Sequence, residues 1–247
     1  MGRAKEIIVK VIPATVANPF VKRVHYSGKI VHNSQVHFGA FLDGKLHGVM
    51  SYGPSFRKDR LVGLVADTKW NEFIELNRMA FDDYLPRNSE SFCIAKSLRL
   101  LKQNAPQIKW VVSFADGTQC GDGTIYRASN FVLTGITKNS AIMVLPDGSK
   151  IATMTLDAHP FSPEALRAKA ICHIPAETKC LHGEYLRRGG AQLLDGYMFR
   201  YIYFIDKRCR AKLTVPELPF SVIDEMGAGM YKGQNITQAE RHAIKTE

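Results

Sequence analysis

Two apolar runs, EFIELNRMAF (72–81) and IKWVVSFAD (108–116), flank the segment SESFCIAKSLRLLKQN, and that alternation constrains the fold more than any other feature of the chain. Each run has the length and density of a buried strand. Between them Ile94, Leu98 and Leu101 recur at i, i+4 and i+7 and share one apolar face, while Lys96, Arg99 and Lys102 fall on another. Pro86 breaks the chain just upstream, and Asn88 and Ser89 stand where a helix N-cap belongs. Strand, capped helix and strand in succession make a crossover, which demands a sheet with a helix laid on it.

The flanking sequence adds antiparallel pieces. HFGAFLDGKLHGVMSYG carries alternating runs on both sides of Asp43-Gly44, the strongest short hairpin signal in the chain. KEIIVKVI (5–12) reads as a first strand, 15–27 as a helix, and LVGLVA (61–66) as a short apolar stretch. GTIYRASNF is a short helix leading into the strand FVLTGI. A hairpin at Pro146-Asp147-Gly148 joins SAIMVL to KIATMTL, Ser162-Pro163-Glu164 starts a helix over 163–171, and YMFRYIYFID (197–206) is an aromatic strand with which CRAKLTV could pair. In that strand Tyr197, Phe199, Tyr201 and Tyr203 share a face, whose expected use is packing rather than stacking on bases. The expected fold is α/β (α+β), a single domain over 1–224 with a mixed, mostly antiparallel sheet, helices on both faces and extra C-terminal strands. Residues 225–247 are Gly-rich and polar, and are expected to form a loosely ordered tail.

The formal charge of +10 says little about fold but favours a polyanionic partner. Basic residues cluster at Lys22-Arg23, Arg57-Lys58-Arg60, Arg187-Arg188 and Lys207-Arg208-Arg210-Lys212, consistent with phosphate contacts. Five scattered cysteines without a C-x-x-C point to reduced thiols and an intracellular protein. No secretory signal and no membrane-spanning run is found.

Three stretches carry candidate chemistry. FDDYLPRNSES (81–91) joins a strand to a helix N-terminus, where unpaired N–H groups and Arg87 favour an anion; ordinary capping is the alternative. DGTQCGDG (116–123) invites a calcium reading, but Thr118 and Cys120 occupy ligand slots and Arg127 stands twelfth, so it is no EF-hand, and no P-loop pattern is present. It leaves Asp116 at a strand end beside a mobile glycine loop, either a functional group or a plain turn residue. Cys172, His173, Cys180 and His182 match no zinc spacing, and no metal is expected.

The order of hairpin, strand, capped helix, strand VVSFAD and helix GTIYRASNF resembles the GNAT N-acyltransferase fold, whose short helix follows a G-x-x-Y-x-x-x-(G/N)-F pattern that Gly123, Tyr126, Asn130 and Phe131 match. More narrowly, ELNRMAFDDYLPRNSESFCIAKSLRLL with WVVSFADGTQCGDGTIYRASNFVLTG is similar to the phage Mom family, over about residues 72–135 and again at YIYFIDKRCRAKLTVPELP. The resemblance implies a bacteriophage transferase acting in the host bacterial cytoplasm. It would place an acyl-type (acetamido or carbamoylmethyl) group on the N6 amine of adenine in double-stranded DNA, protecting that DNA from restriction. The alternatives are an acyltransferase for a small-molecule or protein amine, and an inactive DNA-binding relative. LPRNSES lacks the R/Q-x-x-G-x-G/A loop of ordinary acyl-CoA transferases, so acetyl-CoA or another acyl-CoA is one expected donor and an aminoacyl-tRNA the other.

The adenine amine is a weak nucleophile inside a duplex, so it must be flipped out, positioned and deprotonated. On this reading Asp116 takes the proton, Ser113 places base or donor, and Tyr126 protonates the leaving group. Arg87, Asn88, Ser89 and Ser91 hold the donor, and Asn77 and Arg78 line its channel.

Overall fold

The computed structural model describes residues 2–237, 239, 240 and 243. A 3-10 turn over Arg3–Glu6 leads into β1 (Ile8–Ile12), α1 (Ala14–Val24), and the hairpin of β2 (Val36–Leu42) and β3 (Lys45–Gly53). Asp43 and Gly44 both take positive φ, 50° and 76°, as a tight two-residue hairpin turn requires. There follow α2 (Lys58–Leu61), β4 (Phe73–Phe81), α3 (Ser89–Asn104), β5 (Trp110–Asp116), α4 (Thr124–Ala128) and β6 (Val132–Lys138). Then come β7 (Ile142–Val144), β8 (Lys150–Ala152), α5 (Thr153–Ala158), α6 (Pro163–Ile171), α7 (His182–Arg187), β9 (Gln192–Leu193), β10 (Tyr197–Phe204), α8 (Ser221–Glu225), β11 (Met230–Tyr231) and β12 (Gln234–Asn235).

The chain divides into two compact units. Unit 1 takes the described residues of Met1–Ala115, Gly123–Gly135 and Phe199–Val222; unit 2 takes those of Asp116–Asp122, Ile136–Met198 and Ile223–Glu247. The expected single domain over 1–224 is corrected accordingly. The division arises because the segment between β6 and β10 builds a core of its own.

Unit 1 is built on a seven-stranded sheet of order β1-β2-β3-β4-β5-β10-β6. β1 through β4 pair antiparallel, and β4 pairs parallel with β5. This is the mixed, mostly antiparallel α/β sheet expected. Register assigns its faces. Val49, Ser51 and Gly53 of β3 lie opposite Ala80, Arg78 and Glu75 of β4, so all six side-chain positions share one face. The ladder between Ser51 and Tyr52 skips Asn77, a β-bulge that turns Asn77 and Arg78 out of strict alternation. On this face α1 buries Ala17, Phe20 and Val21 against Val49 and Ala80, while Leu61, Leu64 and Val65 cover Phe73, Trp110 and Val112. On the other face Tyr52 is fully buried and its hydroxyl lies 2.6 Å from Ser97 Oγ of α3. Helices thus cover both faces. Phe199 and Tyr201 of β10 are fully buried, so this part of the aromatic strand packs a core.

Unit 2 holds a three-stranded sheet of order β8-β7-β9. Its core gathers Met143, Leu145, Leu156, Ala168, Cys172 and Tyr185. Two expected strands are corrected. KIATMTL stays extended only to Ala152: the Thr153 hydroxyl donates to the Ser140 carbonyl at 3.1 Å and the chain turns into α5. CRAKLTV does not pair with β10, because the Asp206 carboxylate accepts from the Arg208 N–H at 3.1 Å and starts a 3-10 turn over Lys207–Lys212. The expected loose tail is corrected as well: Ala228 and Met230 are buried, and β11 and β12 form a hairpin. Residues 238, 241, 242 and 244–247 of that tail lie outside the described residues.

Candidate functional site

β4 and β5 pair through only three rungs, the last being Glu75 with Val112. At the next position the Ser113 hydroxyl donates to the Leu76 carbonyl at 2.8 Å, and beyond it β4 runs on to Phe81 without β5 alongside. The strands therefore part at Ser113. Its side chain is wholly buried and bridges the fork, a structural use of a residue expected to place base or donor.

α3 follows β4 in the chain and begins at Ser89. Asn88, its N-cap residue, has φ 68° and makes no side-chain cap. Next to it lies a cavity of about 450 Å³, into which Arg87, Asn88, Ser91 and Phe92 project with Lys5 and Asn130. Neither Arg87 nor Lys5 is ion-paired among the described residues. Two cations, a serine hydroxyl, two amides and a helix N-terminus around one hollow suit a phosphate-bearing group. Three of the four residues expected to hold the donor are thus brought together. The fourth, Ser89, is buried and its hydroxyl donates to the Pro86 carbonyl. Lys5 was missed because nothing local marks a residue of an N-terminal 3-10 turn as a neighbour of residue 87.

Asn77 and Arg78 do not line this cavity. Asn77 Oδ1 accepts from Ser34 Oγ at 2.9 Å, and Arg78 Nε donates to the Lys29 carbonyl at 3.0 Å. Both face the loop between α1 and β2. In that loop His25 is held neutral, its pKa pushed down to about 4 by burial and by Arg78.

Tyr126 is buried in unit 1. Gly123, at φ 86°, opens its helix, and a Cβ there would fall 2.4 Å from the Tyr201 ring. The Tyr126 ring packs 5.3 Å from both Phe131 and Tyr201, so the matched pattern of Gly123, Tyr126 and Phe131 is a packing unit that fixes the tyrosine.

Asp116 belongs to unit 2. Its Oδ1 accepts from the Thr118 N–H at 3.1 Å and from the Thr118 hydroxyl, and its Oδ2 accepts from Gln119 Nε2 at 3.0 Å. The geometry is that of a turn-forming aspartate with its carboxylate engaged. The glycine loop that follows is hydrogen-bonded to the hairpin of β11 and β12. The Asp122 N–H donates to the Met230 carbonyl at 3.3 Å, and the Gly233 N–H to the Cys120 carbonyl at 2.7 Å. Cys172 and Cys180 are buried in the unit 2 core, and His182 Nδ1 lies 2.7 Å from Asp157. No group of three metal-ligating side chains is gathered among the described residues.

A family model described as the Mom protein family matches residues 6–222. The chain belongs to the Mom family. One member, described as methylcarbamoylase mom of Escherichia phage Mu, is 32% identical over 214 residues, covering 85% of this chain and 80% of that protein. Solved structures with a similar course include a spermidine/spermine N-acetyltransferase from Vibrio cholerae, 7% identical over 85% of this chain and 99% of its own, with a TM-score of 0.45. Another is a GNAT acetyltransferase from Elizabethkingia anophelis with acetyl-CoA bound, 11% identical over 80% and 97%, with a TM-score of 0.42. The match to the Mom family takes in residues 6–70, which the sequence resemblance reached only in organisation, through the hairpin. No helix among the described residues is long and apolar enough to cross a membrane.

Proposed function

We propose that this member of the Mom family transfers an acyl-type group, of the acetamido or carbamoylmethyl kind, to the N6 amine of adenine in double-stranded DNA, and so shields phage DNA from restriction in the host cytoplasm. The observation that carries the reading is the cavity at the α3 N-terminus, with Arg87, Asn88, Ser91 and Lys5 around it. Family membership supplies the DNA-modifying context.

The donor supplies an activated carbon joined to a leaving group. An acyl-CoA and an aminoacyl-tRNA both bring the phosphates that Arg87 and Lys5 would grip. Tyr126, fixed by Tyr201 and Phe131, is the assigned proton donor to the leaving group. The adenine enters flipped out of the duplex, at a cost of a few kcal/mol that backbone contacts offset.

The test is expression beside a reporter plasmid, digestion of its DNA to nucleosides and mass spectrometry. A modified deoxyadenosine and resistance to restriction enzymes with adenine in their sites are expected. Unmodified plasmid DNA, with acylation of a small amine instead, would overturn the adenine assignment.

A further inference from the structure

Two segments far apart in the chain wall the cavity at the α3 N-terminus. Gly2, Ala4 and Lys5 come from the N-terminal 3-10 turn and its cap, and Arg87, Asn88 and Ser91 from the junction of β4 and α3. Neither segment is anchored by burial. The turn has four residues and none of them is buried, and no residue from 82 to 88 is buried either. Both are fastened instead to a third element, the tip of the hairpin of β2 and β3. Arg3 Nη2 donates to Asp43 Oδ1 at 2.6 Å and to Asp43 Oδ2 at 2.8 Å, and Arg3 Nε donates to Glu6 of its own turn at 3.1 Å. The Tyr84 hydroxyl donates to the same Asp43 Oδ2 at 2.7 Å. The Tyr84 ring stacks on His47, the extra residue of a bulge in β3, with ring centroids 4.2 Å apart. His47 Nδ1 lies 3.0 Å from Asp82 Oδ2, and the Tyr84 N–H donates to Asp82 Oδ1 at 3.1 Å. Arg3 stands just ahead of Lys5 in the chain, and Tyr84 just ahead of Arg87. One carboxylate therefore joins the two stretches that carry the cations of the cavity.

We propose that Asp43 is a positioning residue for the donor: its carboxylate ties the N-terminal turn and the loop between β4 and α3 to the hairpin tip, so that Lys5 and Arg87 face one hollow before the donor arrives. The inference rests on the reading of that cavity as the donor site, though not on which donor fills it. The turn alone does not call for an acid at position 43. Asp43 and Gly44, at φ 50° and 76°, form a two-residue turn that Asn-Gly serves equally well. What an asparagine lacks is the negative charge, and that charge is what Arg3 and Tyr84 use. Their hydrogen bonds, Arg3 first, hold the Asp43 carboxyl below the ordinary carboxylate range, so it stays ionised at neutral pH.

The network acts on binding rather than on stability. Its ion pairs are exposed, with the Arg3 and Asp43 side chains about half accessible, and exposed pairs add little to global stability. Lysine and arginine each give up several rotors on gripping a phosphate. Two such side chains cooperate only where their backbones already bring them to the same group, and fixing those backbones beforehand lowers the cost of binding. Asp43 does this without touching the donor, since it does not line the cavity.

The experiment titrates acetyl-CoA and a charged tRNA into the wild type by calorimetry, and carries whichever one binds to Asp43→Asn, Lys5→Ala, Arg87→Ala and the double variant of Asp43→Asn with Lys5→Ala. Asp43→Asn keeps the turn and removes the charge. It should weaken donor binding about fivefold and raise the donor KM by the same factor, with kcat and the melting temperature at wild-type values. Tyr84→Phe, which keeps the stack on His47 and loses the hydroxyl, should show a smaller loss in the same direction. Lys5→Ala should weaken the wild type about tenfold but Asp43→Asn only about twofold, because a lysine already released has less to lose. An aspartate that merely stiffened the hairpin would show no such coupling. Additive losses, or Asp43→Asn binding within about 1.5-fold of wild type while Arg87→Ala is weakened, overturn the role of Asp43 and leave the donor cavity standing. A wild type that binds neither donor, or Arg87→Ala and Lys5→Ala proteins that bind as the wild type does, overturns the donor cavity itself and the role of Asp43 with it.

Discussion

His25 is a histidine that the fold keeps neutral. Burial and Arg78 hold its pKa at about 4, below the unfolded value of 6.5. Between those two values the unfolded chain binds a proton that the folded chain does not, so stability is full above pH 6.5 and is lost as the pH falls towards 4. The melting temperature of the wild type should drop by several degrees across that window, and His25→Asn should flatten the slope; an unchanged slope in the variant would show that other groups carry it. At the donor cavity, Arg87→Ala removes a charge-assisted contact worth about 2 kcal/mol. Donor affinity should fall about 30-fold, as read by titration calorimetry with acetyl-CoA, with the melting temperature unchanged. Arg87→Lys should recover only part of it, because a point charge cannot reproduce the guanidinium fork.

The short helix α4 shows how an element places a residue through its glycine. Gly123 combines φ 86° with a Cβ position 2.4 Å from Tyr201, so Gly123→Ala meets both a backbone and a steric cost. It should destabilise by about 2–4 kcal/mol and abolish turnover, whereas Tyr126→Phe should abolish turnover alone; equal melting curves for Gly123→Ala and wild type would contradict this. Elements of this kind were legible in the sequence wherever a local signal and a long apolar pattern agreed. The Asp43-Gly44 hairpin, β4, α3 and β5 all fall close to their expected bounds. α5 and the 3-10 turn at Lys207–Lys212 were illegible, because single side-chain bonds at Thr153 and Asp206 outweigh sequences that alternate like strands. The anion-binding half of the candidate site was legible because a helix start announces itself. Lys5, which lines the same cavity, was not: its place beside residue 87 is a tertiary fact.

At the scale of the whole molecule the positive charge is unevenly divided. Unit 1 carries 23 of the 33 Lys and Arg residues but only 11 of the 23 Asp and Glu residues, so it holds +12 of formal charge against −2 for unit 2. If unit 1 is the part that grips DNA, affinity should fall steeply with salt, by about 10³ between about 50 and 200 mM where some six phosphates are engaged. Replacing Arg57 and Arg60 with Glu should reduce the slope of log affinity against log salt. A salt-independent affinity measured by fluorescence anisotropy would argue against phosphate contacts altogether.

The strand order has a consequence for how the chain reaches this form. β10 lies between β5 and β6, yet it follows β6 by the whole length of α5, α6 and α7. As the chain leaves the ribosome, β5 and β6 are made long before the strand that must separate them, so the sheet waits with its middle missing. Such remote pairings fold slowly, and the two waiting edges are exposed meanwhile. Chains halted at residue 196 should stay protease-sensitive and prone to aggregate, and those halted past residue 222 should not. Assembly of this protein is thus timed by the arrival of its tenth strand.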